Sequence, residues 1–164
     1  MRCWPALAVF ACATIALAAP ASAPGLPPER LFAGARFDPA VPTQESVLGF
    51  LPGARPMTHD ELMRYVAAVA STSKRVKVLP YANTFEGRAL VAIAVGDEPT
   101  IARLEAFREE HAKRTDPRGR PAGDDAKAVA GAKAVAWIAY GIHGDEISST
   151  DAAAAVLYWL AAGG

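Results

Sequence analysis

Apolar and polar residues alternate along residues 58–164 with periods that predict helices and strands in turn. A capping box, Thr58 with Glu61, opens a run of apolar residues spaced along one helical face. These residues are Leu62, Tyr65, Val66 and Val69. A first helix is therefore predicted from Thr58 to about Ser71 to Ser73.

Three segments carry strand patterns. Residues 75–79 alternate apolar and polar side chains, which is typical of a strand with one wet face. Residues 89–95 form an unbroken apolar run, which predicts a strand buried on both faces. A turn is predicted between them at residues 83–88. Residues 132–140 are the most apolar strand candidate.

Two further helices complete the pattern. Pro99 predicts the start of a helix whose charged residues, up to Arg114, are interpreted as a solvated face. Residues 115–126 are predicted to be a loop. A last helix is predicted from Ser148 or Ser149 to about Ala162, with Val156, Leu157 and Leu160 on its core side. The order helix–strand–strand–helix–strand–helix predicts an α/β fold with a mixed or parallel sheet.

The residues before the first helix differ in composition. Residues 1–21 carry one basic residue, an apolar stretch and small residues near the end, which predicts a secretory signal peptide rather than a membrane anchor. Residues 22–57 are rich in proline and are predicted to form an extended leader before a domain at 58–164. Export would place the protein in the periplasm or outside the cell.

Composition limits the function classes. Seventeen Lys and Arg balance seventeen Asp and Glu, which argues against a nucleic-acid partner. Both cysteines, Cys3 and Cys12, lie in the predicted signal peptide. The exported chain is therefore expected to have neither a disulfide nor a thiolate metal site. No partner protein and no stable membrane anchor are indicated.

The chemistry is concentrated between the third strand candidate and the last helix. The sequence there is Gly141-Ile142-His143-Gly144-Asp145-Glu146. A chain that leaves a buried strand reaches the rim of the sheet, where ligand sites of α/β proteins lie. An imidazole and a carboxylate three positions apart can bind one zinc ion without sulfur. His143 and Glu146 are therefore predicted to be ligands of Zn²⁺.

Two motifs in order give residues 58–162 a resemblance to the zinc carboxypeptidase family, peptidase family M14. The first is Tyr81-Ala-Asn-Thr-Phe-Glu86-Gly87-Arg88-Ala-Leu-Val, which leads into a strand. The second runs from Val135 through the His-Gly-Asp-Glu turn and into a helix. The resemblance implies a three-layer α/β/α fold with a mixed sheet, incomplete in this chain. It also implies that His143 and Glu146 are the first two zinc ligands.

The rest of the family's site has no counterpart here. The family's second His ligand and its general-base Glu follow well downstream, and no His follows His143. No catalytic residue is therefore predicted, and the general base is expected beyond Gly164. His59 and His111 are expected to be surface or cap-associated. The resemblance implies an N-terminal part of a secreted metallocarboxypeptidase that hydrolyses peptide bonds and is inactive alone.

Two alternatives stay open. Aspartoacylase and succinylglutamate desuccinylase relatives also use a Gly-x-His-Gly-x-Glu turn, and they remove an acyl group from an amino acid. The Glu86-Gly87-Arg88 turn and the predicted signal favour the peptidase. The second alternative is a secreted, non-catalytic binding module with a peptidase-like half fold. Its three strands would leave sheet edges unpaired, which disfavours it.

Overall fold

The structure is a computed structural model that describes residues 24–116, 118, 123 and 125–164. The predicted signal peptide at 1–21 lies outside these residues, together with Cys3 and Cys12. Within the described part of the chain, no helix has the length and apolar character needed to cross a membrane.

Helices account for most of the regular structure in the described residues, and two strands form a small sheet. The helices are α1 (Pro28–Leu31), α2 (Gln44–Leu48), α3 (His59–Thr72), α4 (Glu98–Ala102), α5 (Leu104–Thr115), α6 (Asp125–Val129) and α7 (Ser148–Ala162). The strands are β1 (Val76–Asn83) and β2 (Ala89–Val95). This mixture of helices and sheet confirms the α/β character, with the sheet being two-stranded and antiparallel.

The first predicted helix is confirmed with its capping box. The Glu61 backbone N–H donates to the Thr58 hydroxyl oxygen at 3.3 Å, and the Thr58 N–H donates to the Glu61 carboxylate at 2.9 Å. These bonds satisfy donors that a helix start leaves free. Helix α3 buries Tyr65, Val66 and Val69, as its spacing predicts.

The hairpin of β1 and β2 begins where Val76 pairs with Val95. Its register shifts between Pro80 and Ala82, where proline lacks the N–H that a regular ladder needs. The predicted turn closes when the Thr84 N–H donates to the Arg88 carbonyl at 2.8 Å. The bounds of β2 match the apolar run, but its residues are half-buried and not enclosed on both faces.

The prediction of a third strand is wrong. Residues 132–140 have no regular secondary structure and are exposed throughout, with Trp137 82% accessible. An apolar run becomes a strand only when a neighbour pairs with its backbone groups. In the described residues, the sheet contains only β1 and β2, which pair with each other. Residues 132–140 therefore have no strand partner there.

The helix predicted from Pro99 is divided in two. Arg103, with φ −118° and ψ 34°, leaves helical geometry and separates α4 from α5. Helix α5 buries no residue, so its charged run is exposed in this structure. Part of the predicted loop at 115–126 lies outside the described residues, and α6 begins inside it at Asp125.

The core lies between α3, α7 and the leader. Helix α7 has the predicted bounds and buries Leu157, but its most enclosed face also includes small and aromatic residues that periodicity did not single out. The fully or nearly buried apolar residues of this cluster are Val41, Met57, Tyr65, Val66, Val69, Val76, Ala154, Leu157, Tyr158, Ala161 and Ala162. Two of them, Val41 and Met57, belong to the leader, so the leader is part of the packed core.

Aromatic pairs fix the leader against α7. The Phe32 and Trp159 rings stack with centroids 5.6 Å apart, and the Phe37 and Tyr158 rings lie 5.0 Å apart. Backbone bonds add to this packing, because the Asp38 N–H donates to the Ala162 carbonyl at 2.8 Å. Contacts of this kind hold the end of α7 in place.

An ion pair ties the leader to the start of α3. The Arg55 guanidinium donates to both oxygens of Glu61, at 2.6 and 3.0 Å, and lies 3.7 Å above the centroid of the Phe50 ring. Hydrogen bonds from Arg55 and from the Thr58 backbone lower the pKa of Glu61 from 4.5 to about 2. The carboxylate therefore stays charged while it caps the helix.

Substitutions of Tyr65 test the assignment of the buried core. Its side chain is fully buried, and its hydroxyl donates to the Pro42 carbonyl at 3.3 Å. Tyr65→Ala should lower the free energy of unfolding by about 3–5 kcal/mol because it leaves a cavity. Tyr65→Phe should lower it by only about 1 kcal/mol, the value of one hydrogen bond. Urea unfolding measures both. Arg64→Ala on the exposed side of α3 is the control, and equal losses for all three variants would contradict the core assignment.

Glu61 makes the free energy of unfolding depend on pH in the acid range. A carboxyl whose folded pKa lies below its unfolded pKa stabilises the fold above the unfolded value and loses that contribution as pH falls towards the folded value. For Glu61 this window runs from pH 4.5 down to about 2. The wild type should lose more stability across it than Glu61→Gln, as measured by urea unfolding at several pH values. Arg64→Ala, at an exposed residue of the same helix that does not titrate in this range, should follow the wild-type profile. A wild-type profile for Glu61→Gln would refute the assignment.

Candidate metal site

The predicted metal ligands lie in a turn that joins residues 132–140 to α7. This segment, residues 141–147, is called the motif turn below. It starts at Gly141, whose φ of +69° is a conformation that favours glycine. Two backbone bonds shape its second half: Glu146 N–H donates to the His143 carbonyl at 3.3 Å, and Ser149 N–H donates to the Glu146 carbonyl at 3.2 Å.

The structure brings the side chains of the two predicted ligands together. The His143 Nδ1 atom lies 2.9 Å from Glu146 Oε1. A carboxylate oxygen can only accept, so Nδ1 donates the hydrogen in this arrangement. Both side chains are open to solvent, with 66% of the His143 side chain and 61% of the Glu146 side chain accessible.

The donor set suits zinc as two of its ligands. Imidazole nitrogen and carboxylate oxygen bind zinc at about 2.0–2.2 Å, so a tetrahedral ion separates two such atoms by roughly 3.4 Å. The observed separation of 2.9 Å needs to open by only about 0.5 Å, which exposed side chains allow. To bind the ion through Nδ1, the neutral imidazole would carry its hydrogen on Nε2 instead.

Near this pair, the described residues provide no third His, Cys, Asp or Glu ligand. Among the residues that the structure describes, no group of three or more His, Cys, Asp and Glu side chains could hold a metal ion. His59 Nε2 donates to the Ala89 carbonyl at 2.9 Å, and the His111 ring stacks on Phe107 with centroids 5.9 Å apart. Both upstream histidines thus make contacts away from the motif turn.

The other motif forms the tip of the β1–β2 hairpin. Gly87 has a φ of +81°, which this turn requires, and the Arg88 guanidinium lies 2.6 Å from the Glu86 carboxylate. The sequence prediction of a turn here is confirmed. Glu86 and Arg88 pair with each other across the turn, and their ion pair is exposed.

Ser149 is a residue that sequence reasoning placed only as a helix start. In the structure it lies inside the first turn of α7, and Ile147 at the N-cap makes no side-chain cap. The Ser149 hydroxyl instead bonds back to the motif turn, at Gly141 and Glu146. The available signal was a hydroxyl residue three positions after a predicted ligand, which can reach that ligand's carbonyl.

Comparison with known proteins adds no relative: no family model, no curated protein and no solved structure matches this chain. The resemblance to the zinc carboxypeptidases therefore rests on the two sequence motifs. The contact between His143 and Glu146 is a feature of the fold of the motif turn.

A substitution at Gly141 tests the backbone conformation of the motif turn. An alanine there would have to adopt a left-handed φ, which costs about 1–2 kcal/mol. Gly141→Ala should lower the free energy of urea unfolding by roughly this amount. Gly144→Ala is the matched control, since Gly144 has no left-handed φ and an added Cβ meets no atom within 4 Å. If the two variants are equally stable, Gly141 does not need its positive φ.

Proposed function

We propose that this chain is the N-terminal part of a secreted, zinc-dependent metallocarboxypeptidase-like hydrolase of peptide bonds. The observation that supports the proposal most is the 2.9 Å contact between His143 and Glu146 in a solvent-open turn. Their order and spacing match the first two zinc ligands of the family that the sequence resembles. The hairpin with the Glu86-Gly87-Arg88 turn precedes them as in that family.

In the proposed enzyme, His143 and Glu146 would be two of the ligands that hold the zinc ion. A bound zinc would polarise the scissile carbonyl and activate a water molecule. His143 supplies a neutral nitrogen ligand, and Glu146 supplies a negative charge that offsets part of the charge of the metal. Their exposure leaves space for a substrate and for further ligands.

The proposed site needs groups that residues 147–164 do not contain, since these include neither His nor Glu. The resemblance places a second His ligand and the general-base Glu later in the enzyme. We propose that the complete catalytic domain has three α/β/α layers and a mixed sheet. The exposed apolar residues of 132–140 support this, because runs such as Val135 to Ile138 are normally buried in sheets.

Zinc titration tests the ligand pair. The exported chain, residues 22–164, lacks Cys3 and Cys12 and should bind one Zn²⁺ in competition with a chromophoric chelator. His143→Ala or Glu146→Gln should weaken binding at least ~10-fold. His111→Ala removes a histidine outside the motif turn and should leave the affinity unchanged. Tight one-to-one binding that survives His143→Ala would refute the assignment.

The reaction itself requires the complete gene product. Hydrolysis of peptides with a free C-terminus, compared with release of acyl groups from N-acyl amino acids, separates the peptidase from the deacylase. Peptide hydrolysis that is lost in Glu146→Gln supports the proposal. Cleavage of N-acyl amino acids alone favours the deacylase.

A further inference from the structure

The Ser149 hydroxyl joins the two ends of the motif turn. The Gly141 N–H donates to Ser149 Oγ at 3.1 Å, and Ser149 Oγ–H donates to the Glu146 carbonyl at 3.0 Å. The Ser149 N–H donates to the same carbonyl at 3.2 Å. One residue of α7 therefore contacts the backbone before His143 and the backbone of Glu146 itself.

Much of the order of this turn comes from hydrogen bonds, because side-chain packing contributes little there. Residues 141–148 are exposed, and both predicted ligands have most of their side-chain surface in water. The glycines at 141 and 144 add backbone freedom that must be removed if the ligands are to stay together. Helix α7 is itself fixed by its buried face, so a bond to Ser149 connects the turn to a rigid element.

We propose that Ser149 is a positioning residue for the metal pair. By accepting from Gly141 and donating to Glu146, its hydroxyl holds the backbone on both sides of His143 and keeps the two side chains within ligating distance. The inference rests on the proposed function, because it assigns Ser149 to the same zinc site. Groups that orient metal ligands in this way raise the affinity for the metal.

The neighbouring residues provide matched variants. Ser149→Ala removes the hydroxyl and both of its bonds. Ser149→Thr keeps a hydroxyl that can reach the carbonyl three positions earlier on a helix. Ser148→Ala removes a hydroxyl from the same helical turn, one position away. A general effect on the start of α7 would appear in both alanine variants.

Zinc affinity is the first measurement, by chelator competition on the exported chain, residues 22–164. Ser149→Ala should weaken binding about 10-fold, while Ser149→Thr and Ser148→Ala should stay within about threefold of the wild type. An affinity for Ser149→Ala that equals that of Ser148→Ala would overturn the proposal.

Amide exchange without metal is the second measurement, followed by NMR. The Gly141 N–H should exchange at least several-fold faster in Ser149→Ala than in the wild type or in Ser148→Ala. An unchanged rate would overturn the proposal. The proposed function fails if the wild-type chain binds no zinc, or if His143→Ala binds zinc as tightly as the wild type does. The role of Ser149 is then tested by NMR distance restraints. Ser149→Ala should increase the distance between the His143 ring and Glu146, and an unchanged distance would overturn that role.

Discussion

The packing of α3 against α7 is the interaction on which the rest of the structure depends. Tyr65, Val66 and Val69 on α3 are buried in one apolar cluster with Leu157 and Tyr158 of α7. Burial of this apolar surface is the main favourable term in folding. The hairpin follows directly from α3, and the motif turn leads directly into α7, so the position of both predicted motifs is set by this helix pair.

Polar contacts then refine what packing has positioned. At one end of α3, the carboxylate of Glu61 caps the helix and receives the Arg55 guanidinium, so the leader and the helix start are joined by charge. At the start of α7, Ser149 bonds back to the motif turn. Both arrangements use a short-range bond to connect an irregular segment to a helix that the core has already fixed.

The elements that were predicted correctly have local causes. The Thr58–Glu61 capping box, the Gly87 turn and the bounds of α7 each depend on residues close together in the sequence, and the structure confirms all three. The prediction for 132–140 was wrong for a different reason. Its apolar residues indicate a tendency to pair, but a strand forms only with a partner, and hydropathy does not say whether one is present.

The sequence by itself determined the local chemistry of this protein: where helices α3 and α7 begin, where the hairpin turns, and that an imidazole and a carboxylate lie three positions apart. These follow from backbone preferences and side-chain spacing over a few residues. Only the tertiary structure decided that Val41 and Met57 of the leader join the core. It alone also placed the Ser149 hydroxyl between Gly141 and Glu146, because such contacts depend on how distant or irregular segments meet in space.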